Sequence, residues 1–166
     1  MDQSARALLS QHLHEKFPGA ILREDFFDFY TLTLEKQRLH SVVEFLQKDS
    51  QWRFGYLTTL CGLHYPEQKE ELGIMMQLHA LEKNLRIRLK TFFTKEQATL
   101  PTFTNLYPSA NWMERETWDF FGIQFSGHPD LRRILNVEDM LIHPLRKEYP
   151  LEDQVRLDKN DTMFGR

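Results

Sequence analysis

A single cysteine, Cys61, stands in the 166 residues. That excludes an internal disulfide, a cysteine-held iron–sulfur cluster and a cysteine-built structural zinc site, and it fits a reducing compartment. Glycine is scarce at 7 residues, and no Gly-x-Gly-x-x-Gly or Gly-rich loop ending in Gly-Lys-Ser/Thr occurs, so a dinucleotide or ATP site is not expected. Basic charge is not in excess: 21 Lys plus Arg face 24 Asp plus Glu, for a formal net charge of −3. The parts before and after Ala110 carry 13 basic against 13 acidic and 8 against 11. Neither part is a footprint for nucleic acid or an anionic membrane. Long apolar runs are missing too. The longest uncharged stretch, residues 97–113, contains Pro101, Asn105, Pro108 and Asn111, and a membrane span needs about 20 apolar residues. The start, Met1-Asp2-Gln3-Ser4-Ala5-Arg6, lacks the charged head and apolar run of a secretory signal. A cytosolic location is the expectation.

What is present suffices for one domain. With 41% hydrophobic and 27% charged residues, a chain of this length can bury a real core. Ala5, Leu8, Leu9, Leu13 and Phe17 recur mostly at helical steps, which predicts an amphipathic helix with Ser4 as N-cap and Pro18-Gly19 as its stop. Residues 20–22 and 26–34 are rich in aromatic and β-branched side chains and read as a hairpin, with the charged pair Glu24-Asp25 between the strands. Leu39, Val42, Val43 and Leu46 return to helical spacing. Residues 54–65, 72–80 and 85–93 then read as strands. In the last of these Leu85, Ile87 and Leu89 alternate with Arg86, Arg88 and Lys90, so one face is core and the other wet. This order predicts an α+β domain with a mixed or antiparallel sheet and helices on one face.

From residue 108 the character changes. Asn111 and Glu114 have capping-box spacing, and Gly122 sits where a left-handed residue ends a helix. Trp112, Met113, Trp118, Phe120 and Phe121 surround the axis of that short helix, so it should be covered on more than one side. Arg115 and Asp119, four apart, can pair within it, so its charges are expected to be structural, either as intrahelical pairs or as partner salt bridges, rather than catalytic. Two His-Pro dipeptides follow, His128-Pro129 and His143-Pro144, each with a leucine and two basic residues beyond. Neither histidine has a second His or Cys at ligand spacing, and Cys61-Gly62-Leu63-His64 is only half of a metal pair. Residues 151–166 carry 7 charges and no apolar period. They predict an extended tail that is either disordered or laid on a partner.

Glu114-Arg115-Glu116, two residues, Asp119-Phe120-Phe121, six residues, His128, three residues, Arg132-Arg133-Ile134-Leu135 resembles the signature of the C-subunit family of respiratory complex I, the proton-translocating NADH:quinone oxidoreductase. Tyr107-Pro108-Ser109-Ala110-Asn111-Trp112 before it and His143-Pro144-Leu145-Arg146-Lys147-Glu148-Tyr149-Pro150 after it are similar to the same family. Ile142 departs from a common Gly, and His64-Tyr65 from a common Asp-Tyr.

The resemblance implies a non-redox structural subunit of the peripheral arm, on the cytoplasmic face of a bacterial inner membrane. NADH, flavin, iron–sulfur clusters and quinone would sit in other subunits, and the partners would be the D and B subunits of the complex, which enclose the quinone site. It divides the chain into an α+β domain over 1–106, a docking element over 107–150 and a C-terminal tail over 151–166 that wraps a partner. The candidate interface residues are Trp112, Glu114, Arg115, Glu116, Asp119, Phe121, His128, Pro129, Arg132, Arg133, His143, Pro144, Arg146 and Lys147. Related hydrogenases, ferredoxin- or deazaflavin-dependent dehydrogenases and the photosynthetic quinone reductase have similar subunits. A reading of another class is an autonomous small enzyme that holds an anionic substrate on Arg132 and Arg133 with His128 as base.

Overall fold

The computed structural model describes residues 3–149; the tail over 151–166 lies outside them. Helix α1 (Gln3–Lys16) turns Leu9 and Leu13 into the core and ends at Pro18-Gly19, where Gly19 takes a φ of 76°. That left-handed turn is open to glycine at no steric cost. Strands β1 (Ile21–Phe26) and β2 (Tyr30–Leu34) form the hairpin, but its turn is Phe27-Asp28-Phe29 and not the Glu24-Asp25 pair. Glu24 belongs inside β1 because its carboxylate accepts from Tyr30 Oη (2.8 Å) and Ser10 Oγ (3.0 Å) and meets His14 (2.7 Å). Asp25 is held by Arg23.

Helix α2 (Lys36–Lys48) buries Leu39, Val42, Val43, Phe45 and Leu46. Strands β3 (Tyr56–His64), β4 (Leu72–Ala80) and β5 (Leu85–Phe93) follow. The sheet order is β1-β2-β5-β4-β3. All neighbours are antiparallel except β2 and β5, which run parallel with Tyr30 opposite Ile87. The sheet is therefore mixed. Alternation sets its two faces: Leu72, Ile74, Met76, Leu78, Leu85, Ile87, Leu89 and Phe93 are buried under the helices, and Arg86, Arg88 and Lys90 point the other way.

Two short strands, β6 (Thr99–Pro101) and β7 (Gln124–Ser126), pair in parallel on either side of helix α3 (Ala110–Phe121). Ser109 flanks the start of α3 without a side-chain cap, and Asn111 lies within the helix, so the Asn111–Glu114 capping box does not form. Gly122 ends α3 with a φ of 70°, its N–H bonded to the Trp118 carbonyl. Tyr107, Ala110, Ile123 and Phe125 belong to the same apolar core as α1, α2 and the sheet. At Gly62 of β3 an added Cβ would run into the Phe121 ring. The missing side chain is thus what lets α3 lie flat on the sheet.

Candidate partner-docking site

The buried side of α3 is polar. Glu114, Arg115, Thr117 and Asp119 are buried, whereas Trp112 is 61% exposed. Each buried charge has found partners, as the penalty for an unpaired one demands. Glu114 accepts from Thr102 Oγ1 (2.6 Å) and from the Phe103 N–H (2.6 Å). Burial pushes its carboxyl up to about 7, with those two bonds pulling down. His128 lies beside it, Nε2 4.0 Å from Oε2, with no exposed side chain. His128 Nδ1 accepts from the Asp130 N–H (3.0 Å), which leaves Nε2–H to donate to the Asn111 carbonyl (3.1 Å).

Asp119 organises the chain that follows. Its Oδ2 accepts from the N–H groups of Ile134 (3.1 Å), Leu135 (2.9 Å) and Asn136 (3.0 Å), and its Oδ1 from Arg133 Nη1 (2.6 Å) and Asn136 Nδ2 (3.1 Å). Burial alone would raise this carboxyl. The backbone bonds from Asn136 and Leu135, then Arg133 and the Asn136 amide, outweigh it and hold the group well below the usual carboxylate range. Arg133 also donates to the carbonyls of Asp119 (3.1 Å), Ile142 (3.0 Å) and Met140. The Arg115–Asp119 pair that the spacing allows is therefore absent. Arg115 donates instead to the carbonyls of Arg132 (3.2 Å) and Arg133 (3.0 Å), and its guanidinium lies 5.2 Å from the Trp112 ring centre.

The second His-Pro segment is tied to the end of α3. His143 Nδ1–H donates to the Asp119 carbonyl (3.0 Å), Arg146 Nε to the Phe121 carbonyl (2.7 Å) and the Leu145 N–H to the Phe120 carbonyl (3.2 Å). Burial lowers the His143 pKa, the bond to the Asp119 carbonyl working upward against it. A Cβ on Gly122 would lie 2.5 Å from both His143 and Arg146. Further along, the Lys147 N–H donates to His64 Nδ1 (2.9 Å), and Lys95 bridges Glu148 (2.7 Å) and Glu71 (3.5 Å).

The candidate residues thus separate by exposure. Glu114, Arg115, Asp119, His128 and Arg133 are turned inward; Phe121, His143, Pro144 and Arg146 are half-buried; Trp112, Glu116, Pro129, Arg132 and Lys147 face out. The anion-binding enzyme reading fails on this geometry. Arg133 is saturated by its own chain, Arg132 pairs with Asp130 (3.0 Å), and His128 reaches no solvent. Among the described residues no group of three or more His, Cys, Asp or Glu could hold a metal ion, and no helix is long and apolar enough to cross a membrane.

Sequence reasoning missed the residues around this network. Thr102, Asn136 and His64 serve as partners, and Leu135 (65% exposed), Val137 (63%), Leu141 (95%) and Leu145 (50%) project outward from an irregular segment. The only sequence signal for the last group is that leucines and a valine recur there without helical or strand period.

A family model described as "Respiratory-chain NADH dehydrogenase, 30 Kd subunit" matches residues 32–155. The chain belongs to this family. Curated relatives are named as the C subunit of NADH-quinone oxidoreductase. The Mesorhizobium japonicum protein is 37% identical over 92% of this chain and 76% of its own length. The one from Herpetosiphon aurantiacus is 37% identical over 88% of this chain and 85% of its own. Among solved structures, a trypsin-resistant fragment (1–134) of Nqo5 superposes with a TM-score of 0.64 at 26% identity, covering 76% of this chain and 98% of that one. A chain of the membrane-bound sulfane sulfur reductase, an archaeal respiratory membrane complex, shares the fold with a TM-score of 0.74 at 20% identity over 90% of this chain and 87% of its own.

Proposed function

We propose that this member of the 30 Kd family is a non-redox structural component of the peripheral arm of a proton-translocating NADH:quinone oxidoreductase. It docks through residues 107–150 on the D subunit of that complex and, beside it, the B subunit. In this reading NADH, flavin, iron–sulfur clusters and quinone are bound by other subunits, and the chain reaches the cytoplasmic face of the membrane only through the complex.

The observation that carries the reading is the segment 134–146. It has no helix or strand, yet it is pinned at Asp119 and shows five large apolar side chains to solvent, Leu135, Val137, Leu141, Ile142 and Leu145. Fixing irregular backbone while exposing leucines is unfavourable for an isolated chain and favourable for an interface core. That a trypsin-resistant fragment (1–134) of Nqo5 shares this fold agrees with a stable domain that precedes the docking segment.

The test is gentle purification of the tagged full chain from its native membrane. Flavin- and iron-bearing quinone-reductase subunits should accompany the parent chain and be lost with Leu141→Glu/Leu145→Glu, while the free variant melts like the parent. Stoichiometric iron or flavin on the isolated chain, or normal assembly of the variant, would overturn the proposal.

A further inference from the structure

Helices α1 and α2 bury their apolar side chains in the core on one face of the five-stranded sheet, and α3 packs along its edge strand β3. The outer face of the sheet has a pronounced charge. Strand β5 sets Arg86, Arg88 and Lys90 along it at steps of about 7 Å. The register adds Thr31 and Thr33 from β2, Gln77, His79 and Met75 from β4, and Cys61 from β3.

The acidic groups at the β1–β2 side of this face are already engaged. Asp25 is bound by Arg23 at 2.8 Å, and Asp28 lies 3.8 Å from Arg88. Arg86 and Lys90 have no ion-pair partner among the described residues, and Arg88 Nε has no hydrogen-bond acceptor. A protein with a formal net charge of −3 thus carries a row of three cations along this face of β5, of which Arg88 alone has an ion-pair partner among the described residues.

We infer that the outer face of the sheet is a second docking surface, and that its occupant is an acidic segment of a neighbouring protein of the complex laid across β5. The inference rests on the reading of the chain as part of a larger complex and adds a second contact, distinct from residues 134–146. Charge complementarity selects the partner. Carboxylates at alternate positions of an extended segment, or one turn apart on a helix, match the spacing of Arg86, Arg88 and Lys90. An anionic lipid surface fits less well, because the fully exposed Phe27 belongs to the hairpin tip, while on this face the half-exposed Tyr56, opposite His79, stands at the strand end away from Lys90.

The test uses the intact complex and the free full chain. In the complex Lys90 should resist acylation at least about tenfold better than in the free chain, as burial of its charge by a carboxylate partner requires, and a zero-length carbodiimide should join its Nζ to an Asp or Glu of another protein of the complex. Arg86→Glu/Lys90→Glu should melt like the parent as a free chain yet be lost from the complex at moderate salt. If the complex is recovered intact with Lys90 fully acylated and the variant retained, this inference fails and the docking role of residues 107–150 stands. If the parent chain brings no partner with it, both fail together. Binding of the free parent chain, but not the variant, to phosphatidylglycerol vesicles would also overturn the inference by making the face a membrane contact.

Discussion

Arg133 Nη1 and Asp119 Oδ1 are 2.6 Å apart, with 7% and 0% of their side chains exposed. The pair joins helix α3 to a segment that has no regular structure. Removing one member of a buried pair leaves the other charge uncompensated, which typically costs about 3–5 kcal/mol. Asp119→Ala should therefore destabilise the free chain by that order in denaturant titration. It should also open residues 134–142 to protease, since Asp119 accepts the N–H groups of Ile134, Leu135 and Asn136. The folded pKa is depressed, so the contribution is present above the ordinary Asp value and is lost only as pH falls below it. A stability profile insensitive to the substitution at pH 7 would contradict this account.

Glu114 should show the opposite dependence. Burial raises its carboxyl from 4.5 to about 7, so between those values the folded chain holds a proton that the unfolded chain releases. Stability from this group falls as pH rises through the window, by about 3 kcal/mol at most. Glu114→Gln keeps an acceptor for Phe103 and a polar contact for Thr102, and should flatten the window while melting no lower than the parent at pH 8. Melting curves at pH 5, 6, 7 and 8 check both statements.

The third test is steric. A methyl group at Gly62 meets the Phe121 ring, and overpacking of this kind costs about 1–3 kcal/mol. Gly62→Ala should lower the melting temperature, and adding Phe121→Leu should recover part of the loss. Additive losses in the double variant would place the strain elsewhere.

His64 gives a pH effect at the far end of the docking element. Burial lowers its pKa, Glu148 pulls it up, Lys95 pushes it down, Glu71 pulls it up and Arg146 pushes it down. A depressed histidine contributes stability fully above its unfolded value of about 6.5 and loses it as pH falls below that. Amide exchange at Lys147, whose N–H is held by His64 Nδ1, should slow less than the intrinsic rate does on going from pH 7 to 5.5, so that its protection falls. His64→Gln should remove that fall.

Strands β4 and β5 were legible to the residue; in β5 the alternation of Leu85, Ile87 and Leu89 with Arg86, Arg88 and Lys90 marks one buried face. The hairpin turn was misplaced by local reasoning. Glu24 looked like a turn residue, and only the tertiary approach of Ser10, His14 and Tyr30 explains its place in a strand. The α3 charges show the same limit. Spacing alone pairs Arg115 with Asp119, yet Asp119 is taken by Arg133 and the backbone beyond it, partners that no helical periodicity encodes. Strands β6 and β7 have three residues each and lie on opposite sides of a helix, too short to leave a sequence period.

The parallel pairing of β2 with β5 bears on how the protein is made. Synthesis runs from the N-terminus, so Tyr30 emerges from the ribosome long before Ile87, its partner across the ladder. Until β5 follows, the inner edge of β2 presents unpaired backbone groups that a neighbouring nascent chain can capture. The first half of the protein is therefore the part for which a chaperone would matter, and its need ends once Phe93 is free of the exit tunnel.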